Sequence, residues 1–141
     1  MRREVRVVAD TNVLMSALLF GGVPEQILVA GLRREIQFLT SRPLLEELEK
    51  VLIRKFRLDP RLVKEFVDFV KDVAELVEGV SHRKVIKESE GDNRVLECAV
   101  DGQADFVVSG DTKHILPLRE YVGIKILSPS DFVKLLPATI P

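Results

Sequence analysis

Three aspartates stand where this chain leaves a buried strand or enters a helix: Asp10, Asp92 and Asp111. Asp10 closes the apolar run Val5 to Ala9. Asp111 follows Phe106, Val107 and Val108 across a Ser109-Gly110 turn, and Asp92 stands just ahead of Val95, Leu96, Ala99 and Val100. Close carboxylates repel by about 4 kcal/mol per pair at 4 Å for an effective dielectric near 20, so a cluster must share protons or bind a cation. All-oxygen ligation suits Mg²⁺ or Mn²⁺, which keep positions open for phosphate oxygens and can activate water against a phosphodiester. Each aspartate also has a structural reading as a helix cap, and what favours metal is their shared placement at one edge.

A fourth acid is offered by the helix that follows Ser41. At 100° per residue, Glu47 falls beside Leu44 and Val51 at one border of the apolar stripe, Glu49 borders the other side, and Glu46 faces outward. The wheel leaves Glu47 and Glu49 both open. Neither His82 nor His114 has a second histidine at ligand spacing, and the single Cys98 excludes an intrachain disulfide and a cysteine zinc cluster. Cys98 reads as a small buried hydrophobe.

The elements that must position these acids alternate in type. Val5 to Ala9, Ile36 to Leu39, Phe106 to Val108 and Ile124 to Leu127 are short, nearly continuous apolar runs, the pattern of strands covered on both faces. Between them, Val13, Leu14, Ala17 and Leu18 recur at helical spacing, Gly21-Gly22 breaks the chain, and Pro24 opens a second helix that ends near Gly31. Ser41 and Pro43 start a helix with Leu44, Leu45, Leu48, Val51, Leu52 and Phe56 on one stripe. Asp59-Pro60 starts another with Leu62, Phe66, Phe69, Val70 and Val73. Residues 75–89 read as strand plus loop. Asp92 or Asn93 is predicted to cap the helix that Gly102 ends, Thr112 to Leu116 to form a short helix stopped by Pro117, and Ser128-Pro129 to open a last helix.

Strands alternating with helices predict an α/β fold: a central, mostly parallel sheet with helices on both faces, as one domain and one core over residues 1–141. Such sheets place ligands beyond the carboxyl ends of their strands, where Asp10 and Asp111 fall. The 21 basic and 22 acidic residues leave a net charge of −1, so no global field draws the protein to a polyanion and any nucleic acid must be held locally. Arg42, Arg83, Lys84, Lys113 and His114 stand in predicted loops that could border the acidic edge. The basic run Arg54-Lys55-Phe56-Arg57 could meet RNA or an acidic partner, or simply end its helix favourably. No apolar run approaches the roughly 20 residues of a membrane helix, and the opening residues lack a signal-peptide core, so the expected compartment is the cytoplasm.

Four segments in order resemble the PIN-domain family, in particular its prokaryotic toxin branch. Asp10-Thr11-Asn12-Val13-Leu14 is similar to the family's opening motif, and Glu47-Leu48 with Val51-Leu52 to the helix carrying its second acid. Asp92-Asn93 before Leu96-Glu97 and Ala99 is similar to the third motif, and Ala104-Asp105 through Ser109-Gly110-Asp111 to the fourth. The resemblance favours Glu47 over Glu49 and implies that Asp10, Glu47, Asp92 and Asp111 hold Mg²⁺ or Mn²⁺, with Asn12 helping to orient Asp10. It further implies an endoribonuclease acting on single-stranded RNA, the toxin partner of a protein antitoxin, and a homodimer. Ser89 stands where that branch often has a further aspartate, and Ser109 where it often has threonine. Two other readings compete: a catalytically silent PIN fold that binds RNA or protein, and a magnesium-dependent phosphatase of the haloacid dehalogenase type. The latter would want a second aspartate where Asn12 stands.

Overall fold

A computed structural model describes residues 4–78 and 90–136, with residues 90–92 described by backbone alone. The Val85-Ile86 piece, His82, Arg83, Lys84 and Ser89 lie outside the described residues. The chain runs β1 (Arg6–Ala9), α1 (Thr11–Phe20), α2 (Gly22–Leu32), β2 (Gln37–Ser41), α3 (Arg42–Arg54), α4 (Pro60–Val73) and β3 (Glu75–Val77). It continues through α5 (Glu90–Asp101), β4 (Phe106–Val108), a 3₁₀ turn at Leu116–Leu118, β5 (Glu120–Tyr121), β6 (Ile124–Leu127) and α6 (Pro129–Val133). The strands form one sheet in the order β3-β2-β1-β4-β6-β5, parallel except for β5 at the edge. The predicted α/β sheet is thus the observed one.

Alternation along the strands splits the apolar interior into two layers, where the sequence suggested a single core. Val7, Ala9, Phe38 and Val108 face a cluster built with α1, α2, α3, α4 and Phe132 of α6. Val8, Leu39, Val107 and Ile126 face a second cluster built mainly with Val95, Leu96, Cys98 and Ala99 of α5. Strands wedged between two helical layers are apolar at their buried positions on both faces, which is why β4 and, past Arg6, β1 read as nearly continuous hydrophobic runs. Among the described residues no single helix is long and apolar enough to cross a membrane.

Helix α2 ends at Leu32, next to Gly31 as the sequence predicts. A Cβ on Gly31 would stand 3.0 Å from Val73 Cγ1 and 3.2 Å from Phe38 Cβ, so the missing side chain lets α2 sit close to both. Other local expectations change. Helix α4 buries Val63, Val67 and Val70, while Leu62 (45% exposed) and Phe69 (37%) face outward. Its apolar residues span an arc of about 160° at 100° per residue, wider than one contact face, so periodicity could not choose the buried half. Thr112 to Ile115 forms turns rather than a helix, and Pro117 sits within the 3₁₀ turn rather than after a helix.

Candidate metal centre

Strand β1 is followed in space by β2 on one side and β4 on the other, so the direction of winding reverses between β1 and β4. Beyond the carboxyl ends of those two strands no helix crosses over, which leaves a crevice. Asp10 is the first residue past β1 and its backbone N–H still donates to Val108 O of β4 at 3.0 Å, so it sits over the reversal point itself.

The Asp10 side chain is 3% exposed. Its Oδ1 accepts from Val13 N at 2.9 Å, capping α1, and its Oδ2 accepts from Ser109 Oγ. The cap reading and the ligand reading therefore apply to the same group, because an ionised carboxylate offers about four acceptor positions. Ser109, fully buried, uses its hydroxyl both ways: it donates to Asp10 and accepts from Asp111 N at 3.0 Å. That single hydroxyl joins the turn after β4 to the residue after β1. Asp111 shapes the same turn, its Oδ1 accepting from Lys113 N at 2.9 Å and His114 N at 3.1 Å.

Glu47 reaches the edge from α3. The helix starts beyond β2, capped by Ser41, whose Oγ accepts from Leu44 N at 3.4 Å, so its first two turns overhang the crevice. Glu47 is half-buried and its Oε2 accepts from Thr11 Oγ1 at 3.3 Å, whereas Glu46 and Glu49 are exposed. The choice left open by the helical wheel falls to Glu47. Asp92 lies in the first turn of α5, which begins at Glu90, so it is not the cap that the sequence suggested; its side chain lies outside the described residues. Asn93 is buried next to it, and Glu97, also buried, pairs through Oε2 with Arg94 Nη2 at 2.7 Å.

The structure thus brings Asp10, Glu47 and Asp111 to one edge through paired hydrogen bonds. Among the described residues no three acidic, histidine or cysteine side chains already converge as a metal cage. The donor set is carboxylate oxygen throughout, with hydroxyls of Thr11 and Ser109 behind it, which fits a hard cation such as Mg²⁺ or Mn²⁺ rather than zinc. Cys98, one turn beyond Asn93 on α5, takes no part: burial pushes its thiol up to about 12, against a side-chain hydrogen bond with Ser41 that works the other way. It stays protonated and packs as a hydrophobe.

Of the basic residues, Arg42 opens α3 beside Ser41 and is exposed, and Lys113 is exposed in the turn after Asp111 with His114 half-buried next to it. Lys113 is thus close in sequence to the crevice acid Asp111, whereas Arg42 borders a separate hollow with Leu76, Val77, Arg94 and Glu97. The Arg54-Lys55-Phe56-Arg57 run lies away from the crevice: α3 carries it roughly 20 Å from Ser41 at 1.5 Å per residue, towards the opposite edge of the sheet, where Lys55 stacks over the Phe56 ring at 5.7 Å. Sequence reasoning missed what Thr11 does, because its partner is 36 positions away. It also missed the Arg94–Glu97 pair, although spacing three apart on a helix was a visible sign of it.

Residues 6–113 match the PIN domain, a stretch that runs from β1 through the turn holding Asp111. No curated protein matches the chain. PIN domains are generally nucleases and typically use divalent metal ions. On that match, over the sheet and helices described above, the chain belongs to the PIN-domain family and carries its nuclease-type fold.

Proposed function

We propose that this protein is a Mg²⁺- or Mn²⁺-dependent endoribonuclease that cuts single-stranded RNA. The observation that carries this reading is the set of hydrogen bonds that ties Glu47 to Thr11, and the turn before Asp111 to Asp10, at the carboxyl ends of β1 and β4 in a PIN domain. Asp10, Glu47, Asp92 and Asp111 would hold the cation. A divalent ion there supplies an activated water and neutralises charge on the leaving oxygen of the phosphodiester. Ser109 keeps Asp10 and the Asp111 turn in register. Lys113, exposed two residues beyond Asp111, would attract the RNA backbone locally, which a chain of net charge −1 requires.

The same reading extends to the setting: a cytoplasmic toxin, dimeric, silenced by a protein antitoxin. The toxin role, the dimer and the antitoxin follow from the likeness to the toxin branch, the compartment from the opening residues; the first three wait on copurification with a partner and on the mass of the particle in solution.

The test is incubation of a mixed single-stranded RNA pool with the native protein and with Asp10→Asn, in manganese, magnesium and chelator. Asparagine keeps the cap on Val13 N, so the variant should fold while losing a charge at the centre. Metal-dependent cleavage absent from the variant supports the reading. No cleavage by the native protein, with RNA or protein binding retained, would replace it with a silent binding module.

A further inference from the structure

Asp10 and the residue after it reach in opposite directions. Asp10 accepts from Ser109 beyond β4, on one side of the crevice, and Thr11 donates from Oγ1 to Glu47 Oε2 at 3.3 Å, on the α3 side. A glutamate places its carboxylate through three torsions, and an unrestrained one at a helix border spreads over many rotamers. Thr11 has no such freedom: it is β-branched, buried, and fixed at the first position of α1 by the Asp10 cap. Of the three glutamates in the first turns of α3, the one it touches is the one that is not exposed.

We infer that Thr11 is a positioning residue, which restrains the Glu47 carboxylate next to the residue that follows Asp10, so that less ordering of Glu47 is left for a cation to impose. The inference rests on the metal-dependent reading proposed above. A hydroxyl on Oε2 narrows the range of orientations open to the carboxylate, which would hold a metal as part of the acid set. At 3.3 Å the bond is long for an O–H···O contact, so it contributes little to the stability of the fold, and its effect falls on metal binding instead. Partners of this kind, one step behind a ligand, typically change metal affinity by about 10- to 100-fold when removed.

The test is manganese binding by metal-stripped protein, read from the spin-resonance signal of unbound Mn²⁺, for the native chain, Thr11→Val, Thr11→Ser and Glu47→Gln, with urea unfolding measured alongside. Thr11→Val, which keeps the shape and removes the donor, is expected to bind manganese about 10-fold more weakly with an unchanged unfolding midpoint. Thr11→Ser is expected to restore most of the affinity, and adding Thr11→Val to Glu47→Gln to cost little more. Thr11→Ala replaces the valine variant if valine disturbs the first turn. Native-like manganese binding by Thr11→Val, or an equal loss in the Glu47→Gln background, would overturn the inference while leaving the metal reading intact. A native protein that binds no manganese would overturn both.

Discussion

Replacing Ser109 by alanine tests the junction at the centre of the crevice. The hydroxyl is fully buried and serves two partners, donating to the Asp10 carboxylate and accepting from Asp111 N at 3.0 Å. Its removal takes away a hydrogen bond to a charged, buried acceptor, worth about 1.5–3 kcal/mol, and a second, more exposed one worth nearer 1 kcal/mol. Water can reach the half-buried Asp111 but not Asp10, which is 3% exposed, so most of the cost falls on Asp10. A net loss of about 2–3 kcal/mol is expected. Urea unfolding in chelator measures it: the midpoint should fall with the slope unchanged, since the surface exposed on unfolding is the same. Ser109→Thr keeps the hydroxyl and should lose much less. A loss below about 0.5 kcal/mol for Ser109→Ala would mean that the Ser109 link does not hold Asp10 in place, and the picture of a prearranged crevice would fail.

The Cys98 thiol, raised from 9.0 to about 12 in the folded chain, binds its proton more tightly folded than unfolded. Stability is therefore fully present below pH 9 and lost as pH rises from there towards 12, at up to about 1.4 kcal/mol per pH unit, a slope that urea midpoints should show and Cys98→Ala should flatten. Val122 turns the β5–β6 hairpin at φ +52 beside Gly123 at φ +81, a conformation a β-branched residue resists. Val122→Asn should raise stability by about 1 kcal/mol by thermal melting, and a lower melting point would contradict that. A Cβ on Gly102 would lie 2.7 Å from Val77 Cγ2 and 2.9 Å from Cys98 O, so Gly102→Ala should destabilise by about 1–3 kcal/mol, and a neutral result would show that β3 can move aside.

Strand β1, strand β4 and the start of α3 were legible because their signals are local: nearly continuous apolar runs, and a serine two residues before a proline. Asp10 and Asp111 were legible for the same reason, standing where those runs stop. The rotation of α4 was not, because its apolar arc is wider than the face it buries and only the packing of α2 and α3 decides which half is covered. Strand β5 is two residues long and exists through its pairing with β6, which no short pattern announces. The predicted helix after Asp111 is a series of turns running into the 3₁₀ turn, although Asp111 Oδ1 accepts from the Lys113 and His114 N–H groups as a helix cap would. The helical wheel alone left Glu47 and Glu49 open and the family resemblance chose Glu47; the contact with Thr11 belongs to the tertiary structure and no local pattern announces it.

The most direct measurement of the central claim is single-turnover cleavage of one end-labelled single-stranded RNA by the native protein, first in chelator and then after excess manganese, beside Asp10→Asn and Glu49→Gln. Cleavage that starts with manganese, survives in Glu49→Gln and is lost in Asp10→Asn is the expected result, since Glu49 is exposed and outside the crevice whereas Asp10 lies at its centre. Cleavage that persists in chelator, or in Asp10→Asn, would contradict an acid-held metal at the β1–β4 reversal as the cutting centre.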